Sequence, residues 1–220
     1  MSILRPGDVK RAESMFRHHE AWYKRGEPFD VLDWKKPDTI HCWVRMVFDH
    51  DREGTEAVYI TGDLGEGVVY PTCYPDLEHV ARSFTSRDAD GMLDVNEHYF
   101  LEKLKTARRT FDWDMDTFKE DLRCKFADHY GKYEDQSKLN DFFEEYCDGY
   151  MPGVVVDDGV HFCDRYAEDV LGTIFPDYGE WVWRCGSRLN FWIVCWIVAM
   201  RLAWEKVASQ EKGGKNDGEE

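Results

Sequence analysis

The ten residues FWIVCWIVAM, Phe191 to Met200, are the most hydrophobic stretch of the chain and leave it few ways to fold. As a helix they reach about 15 Å, half of the roughly 30 Å of a bilayer's hydrocarbon core. Asn190 and Arg201 close the run at both ends. It therefore reads as a core helix rather than a membrane span. Trp192, Trp196, Ala199, Ala203 and Val207 keep the helical spacing, which predicts a helix from 188 to about 208. Its start is apolar nearly all round, and such a helix must be covered on every side by the rest of the chain.

What covers it can be read from changes of period. Residues 8–25 place Val9, Ala12, Phe16, His19 and Tyr23 on one stripe in steps of three and four, with Gly26 and Pro28 as a stop, predicting an amphipathic helix. His18 and His19 are adjacent on it and point in different directions, so they do not form a metal pair. From Thr39 to Asp49 the period becomes two, with Ile40, Cys42, Val44, Met46 and Phe48 on one face, the pattern of a half-buried strand. DREG turns the chain into AVYIT (57–61), and GDLGEG (62–67) turns it into VVYPT (68–72). Pro71 ends that last strand or sets it at an edge.

Helical periods follow at 76–84, 95–109, 114–130, 136–147 and 159–173. The expected architecture is α+β, with an antiparallel meander of about three strands over 38–73. A predominantly helical remainder, 76–208, packs on the Trp-rich C-terminal helix, and 1–208 forms one compact domain. The tail from 209 to 220 is Gly-rich and charged, and is expected to be disordered.

The net charge is −16, while hydrophobic residues make up 43% and aromatics 15% of the chain. That is too much apolar material for a disordered acidic protein, so the charge belongs on a folded surface. Such a surface repels nucleic-acid phosphates and anionic lipid, and direct binding to either is not expected. Seven cysteines without a CxxC pair read as reduced, mostly buried thiols. The first residues, MSILRPGD, lack the apolar segment of an export signal, so a cytoplasmic protein is expected. His161-Phe-Cys163 does not place a base beside a thiol on a helix, and a thiol enzyme is disfavoured.

Two loops carry candidate chemistry. SRDADGMLDVNE (86–97) matches a calcium loop with Asp88 at position 3, Asp90 at 5, Gly91 at 6, Asp94 at 9 and Glu97 at 12. Ser86 stands where the first charged ligand belongs, and no second loop of this kind pairs with it: DHDREG and DWDMDT reach Ile60 and Arg123 at position 12. A turn at Asp88–Gly91 followed by a capping box, Asp94 with Glu97, accounts for the same acids without metal. No cofactor is expected, with weak calcium binding at Asp88, Asp90, Asp94 and Glu97 as the alternative. GDLGEG sets Asp63 and Glu66 among glycines between two strands. It reads as a hairpin turn, with an acid/base pair as the enzymatic alternative and no nucleophile nearby in sequence.

The charge is concentrated downstream. Between Asp112 and Asp158 fourteen acids stand against five bases, which leaves −9 in 47 residues. Phe118, Leu122, Phe126, Leu139, Phe143 and Tyr146 supply the buried stripes, so the acids should form an outer face. The helix of 114–130 and the segment before it bring Asp112, Asp114, Asp116, Glu120, Asp121 and Asp128. The following stretch brings Glu134, Asp135, Asp141, Glu144, Glu145 and Asp148. Such a face suits the Lys/Arg surface of a protein that itself binds nucleic acid.

Four segments in order, YITGDLGEGVVY (59–70), HYFLEKLKTARR (98–109), FDWD (111–114) and MRLAWEKV (200–207), carry a resemblance over about 39–208. The chain resembles a group of uncharacterised phage and prophage accessory proteins. Their marks are a GDLGEAVY-like turn, a YFxxKxxAS-like helix and a C-terminal helix ending in KMAWEQL-like residues. Where that group has a small residue and Ser, this chain has Ala107-Arg108-Arg109. The resemblance implies a mobile-element origin and action in the host cytoplasm, with no activity attached, and a plain connection before the YF helix instead of a calcium loop. The expected function is a non-enzymatic acidic protein that binds a host protein, such as a defence nuclease that it inhibits.

Overall fold

Val44, Met46 and Phe48 alternate inward as their period of two requires, each at 1% exposure or less, and form the middle of a sheet. The computed structural model describes residues 3–5, 7–39, 41–50, 54–71, 74, 76–107, 110–131, 135–148, 168–182 and 185–213. The chain divides into two compact units, Met1–Thr110 with Leu189–Glu220, and Phe111–Arg188.

The first unit is built on a six-stranded antiparallel sheet, not the three strands the sequence suggests. Its strands are β1 (Glu20–Lys24), β2 (Phe29–Lys35), β3 (Val44–His50), β4 (Thr55–Gly62), β5 (Gly67–Val69) and, beyond the β6/β7 hairpin (Thr85–Arg87, Leu93–Val95), β8 (Leu104–Ala107). The order is β1-β2-β3-β4-β5-β8. Rows of partners run straight across it, as in Leu32↔Met46 and Met46↔Ile60.

Three extra strands come from segments with a different expected structure. The helix expected over 8–25 stops at Met15, and Glu20–Lys24 pairs with Phe29–Lys35 as a hairpin. Ala12, Phe16 and His19 of the expected stripe are buried all the same, Ala12 in the helix and the other two in the turn before the strand, whereas within the strand Ala21 is buried and Tyr23 half-buried. Trp22 and Tyr23 suit a pleated surface, and Gly26 and Pro28 supply a turn rather than a stop. β2 has no counterpart in the sequence reading, since only Leu32 and Trp34 among its residues are fully buried. The helix expected over 95–109 ends at Lys103, and Leu104–Ala107 pairs with β5, whose edge would otherwise be open.

The C-terminal helix, Phe191–Gly213, lies against this sheet and the first helix, α1 (Asp8–Met15). Ile193 to Met200 are all at 2% exposure or less, so the run is covered on every side from Ile193 on, while Trp192 at its start is exposed. At about 1.5–3 kcal/mol for each large apolar side chain removed from water, it is the largest single contribution to this core. The helix continues through 209–213, where a disordered tail is expected, and 214–220 lie outside the described residues. Among the described residues no helix is long and apolar enough to cross a membrane.

The described residues of the second unit are mostly helical, with the strand Phe111–Trp113 pairing with Ser187–Leu189. Asp114 caps its main helix, Met115–Tyr130, by accepting from the Thr117 amide at 2.8 Å. Phe118, Leu122, Phe126, Leu139 and Phe143 form its core with Leu171 and Phe175, as the apolar stripes predict. The helix expected over 136–147 is a short helix, Ser137–Phe142, that widens into a π-helical turn, Phe143–Cys147. Of the helix expected over 159–173, residues 159–167 lie outside the described residues, and Glu168–Ile174 is helical.

Candidate functional site

The glycines of GDLGEG serve packing. A Cβ on Gly67 would lie 2.6 and 2.8 Å from Cζ3 and Cη2 of Trp196, and one on Gly62 would lie 2.2 Å from the Trp43 carbonyl oxygen. The turn is thus a collar drawn tight around the indole of the core helix. Asp63 serves as its latch: the carboxylate accepts from the Cys42 amide at 2.5 Å while its own amide donates to the Trp43 carbonyl at 3.1 Å. Glu66 is exposed. One carboxylate is bonded to backbone and both are exposed.

The segment 86–97 is a β-hairpin, not a helix–loop–helix. Ser86 pairs with Asp94 across the strands, with Thr85↔Val95 and Arg87↔Leu93 on either side. Oδ1 of Asp88 accepts from the amides of Asp90 at 3.0 Å and Met92 at 2.8 Å, and Gly91 at φ 77 closes the tip. This bears out the turn at Asp88–Gly91, in a hairpin where a calcium loop of the expected kind stands between two helices. Asp88 accepts from the backbone at the tip, Asp94 and Glu97 line one pocket beside Ser86, and no cluster of three or more metal-binding side chains exists among the described residues. The capping box is also corrected, since the cap of the next helix is Asn96, which accepts from the Tyr99 amide at 3.2 Å. Asp94 belongs to a strand instead, and Glu97 is the first residue of the helix.

The acidic stretch separates into three groups. Asp116, Glu120, Asp128, Asp135, Asp141, Glu144, Glu145 and Asp148 are exposed, as expected of an outer face. Asp112 and Asp114 are half-buried, and Glu134 lies outside the described residues. Asp121 is a correction: at 2% exposure it is a core group, accepting from the Gly186 amide at 2.9 Å and from both terminal nitrogens of Arg188 at 3.0 and 2.8 Å. It lies one turn of helix from Phe118 and beside Leu122, on the face that packs inward, and Arg188 at 8% exposure needs a charge of opposite sign there.

Among the described residues, three bases of the main helix leave most of the exposed acids unpaired. Lys119 pairs with Asp148 and lies near the Phe143 ring, Arg123 is 4.8 Å from the centre of the same ring, and Lys125 is 5.4 Å from that of Trp181. Asp116, Glu120, Asp128, Asp141, Glu144 and Glu145 have no partner among the described residues.

Three thiols are buried and held protonated. Burial pushes Cys147 and Cys185 up to about 12, and Cys195 higher. His161 and Cys163 lie outside the described residues.

A feature absent from the sequence reading lies in the first unit, where α1 and the C-terminal helix flank an open-mouthed cavity of about 610 Å³. Lys10, Glu13, Ser14 and Arg17 follow one another along its first wall, and Leu202, Glu205, Lys206 and Ser209 along the second. Both sets run i, i+3, i+4, i+7, the one-sided stripe of a helix. Phe16, His19 and Trp34 complete the lining. The size falls within the range of about 300–1,000 Å³ usual for small-molecule sites. No protein-family model, curated protein or solved structure matches the chain.

Proposed function

We propose that the chain is a non-catalytic binding protein whose helical unit presents its acidic face to a basic protein surface, of the kind that nucleic-acid-binding proteins carry. The observation behind this reading is the arrangement of charge. Lys119, Arg123 and Lys125 lie against the unit's own aromatic rings, Lys119 also on Asp148, while Asp116, Glu120, Asp128, Asp141, Glu144 and Glu145 have no hydrogen-bond or ion-pair partner among the described residues. Unpaired carboxylates on a folded surface attract Lys/Arg patches over about a Debye length and raise the rate of encounter. The resemblance to phage accessory proteins supplies the setting, with the host cytoplasm as the site of action and a host defence protein as the target that is inhibited.

The test is capture of the partner from host lysate on immobilised wild type and on a variant carrying Glu120→Lys, Asp128→Lys, Glu144→Lys and Glu145→Lys. Wild type should hold the partner at low salt and release it near 0.5 M, where the Debye length is well below about 10 Å. The variant should not retain it. A partner held equally by both, or one indifferent to salt, overturns the acidic-face mechanism.

A further inference from the structure

The cavity between α1 and the C-terminal helix is electropositive on a chain whose net charge is −16. Its two carboxylates are already neutralised from outside the lining. Arg87 donates to both oxygens of Glu205 at 2.8 and 2.7 Å and to Glu13 at 3.4 Å, and Arg201 adds a bond to Glu205 at 2.8 Å. Lys10, Arg17 and Lys206 are exposed, and none of them pairs with an acid among the described residues. The mouth therefore carries three uncompensated cations.

Its floor has a different chemistry. Trp34 and His19 are at 3% and 6% exposure, and the Trp34 Nε1 and His19 Nδ1 atoms are buried without a hydrogen-bond partner. Two such orphans in one lining are unusual, because buried polar atoms are nearly always satisfied. The other His19 nitrogen, Nε2, stands 3.1 Å from the Cys42 carbonyl oxygen, and burial lowers the affinity of the ring for a second proton. With the proton on Nε2 donated to Cys42, Nδ1 is an acceptor. Trp34 Nε1 is a donor only. A hydroxyl has the chemistry both atoms lack, since it accepts from an indole N–H and donates to an imidazole nitrogen. Both atoms are closed to bulk water, so reaching them takes a movement of the rings.

We propose that this cavity binds a small hydroxylated organic phosphate, with Lys10, Arg17 and Lys206 meeting the phosphate and the ring nitrogens of Trp34 and His19 meeting a hydroxyl. Phosphate suits the mouth better than a neutral group because three flexible cations match a compact dianion. Phe16 and Leu202 supply the apolar wall for the carbon skeleton. The site belongs to the first unit alone, so its test is independent of the acidic-face reading.

The experiment is titration calorimetry on the full chain with ribose 5-phosphate, and with ribose and inorganic phosphate as the two halves. Ribose 5-phosphate should bind one to one, each half at least about tenfold more weakly. Lys10→Ala with Arg17→Ala should weaken it by about tenfold or more at unchanged melting temperature, since both residues are exposed. Trp34→Phe keeps a flat ring and removes the donor; it should weaken ribose 5-phosphate several-fold while leaving inorganic phosphate unaffected. Lys206→Ala repeats the charge test on the other helix should Trp34→Phe fail to fold. Absence of ribose 5-phosphate binding up to millimolar concentration, or binding that survives loss of Lys10 and Arg17, overturns the assignment. Inorganic phosphate binding as tightly as ribose 5-phosphate overturns the hydroxyl half of it.

Discussion

Gly67→Ala should destabilise the first unit by overfilling the collar around Trp196. The added methyl would lie 2.6 and 2.8 Å from the six-membered ring of that indole and 3.1 Å from the Thr106 carbonyl oxygen. Carbon atoms pack at about 3.5–4.0 Å, so the ring has to retreat by close to 1 Å. It has nowhere to go, being 2% exposed and on a helix whose neighbours Cys195 and Ile197 are fully buried. Forcing a methyl into a closed core costs about 1–3 kcal/mol. The loss of glycine's freedom in the unfolded chain returns about 0.4–1 kcal/mol. The middle of the two ranges leaves a net loss of about 1.3 kcal/mol, read as a lower urea midpoint with an unchanged slope. Trp196→Phe removes the outer ring atoms that clash, so Gly67→Ala should cost about 1 kcal/mol less in that background. Wild-type stability of Gly67→Ala, or strict additivity of the two substitutions, would refute the steric argument.

Asp121→Ala should cost about 3–5 kcal/mol because it strands a buried guanidinium, whereas Asp121→Leu with Arg188→Met should recover much of that loss; denaturant midpoints distinguish the two. Alkylation at pH 8 followed by mass spectrometry should label the exposed Cys124 and spare Cys147, Cys185 and Cys195, which burial keeps protonated, until the protein unfolds. Burial alone would raise the Glu205 carboxyl, but bonds from Arg87 and Arg201 outweigh it and hold the group below its ordinary 4.5. A depressed carboxyl stabilises fully above its unfolded value and loses that contribution as the pH falls through its folded one. Wild type should therefore exceed Glu205→Gln in melting temperature above about pH 5, with the gap closing in acid.

The polar–apolar pattern determined which side chains face inward, and did so even where it suggests the wrong element. Ala12, Phe16 and His19 are buried although the helix stops at Met15, and Phe118, Leu122 and Phe126 form a core stripe as expected. The length of the Phe191–Met200 run and its closure by Asn190 and Arg201 were enough to make it a core helix, because helix rise and bilayer thickness are known constants. The exposed acids from Asp116 to Asp148 were legible for the same reason, since unpaired carboxylates stay in water. Tertiary structure decided everything that depends on a distant partner. Leu104–Ala107 is a strand because β5 offers an edge, and Asp121 is a core residue because Arg188 lies 67 positions away in the chain and meets it there. SRDADGMLDVNE is a hairpin because its two ends pair with one another. The cavity has the same origin. Its two charged stripes are visible in sequence as i, i+3, i+4, i+7 sets, but the packing of the first helix against the last brings Lys10 and Lys206 to one mouth over Trp34. Periodicity reports which way a residue faces, and only the closure of long loops determines what it meets.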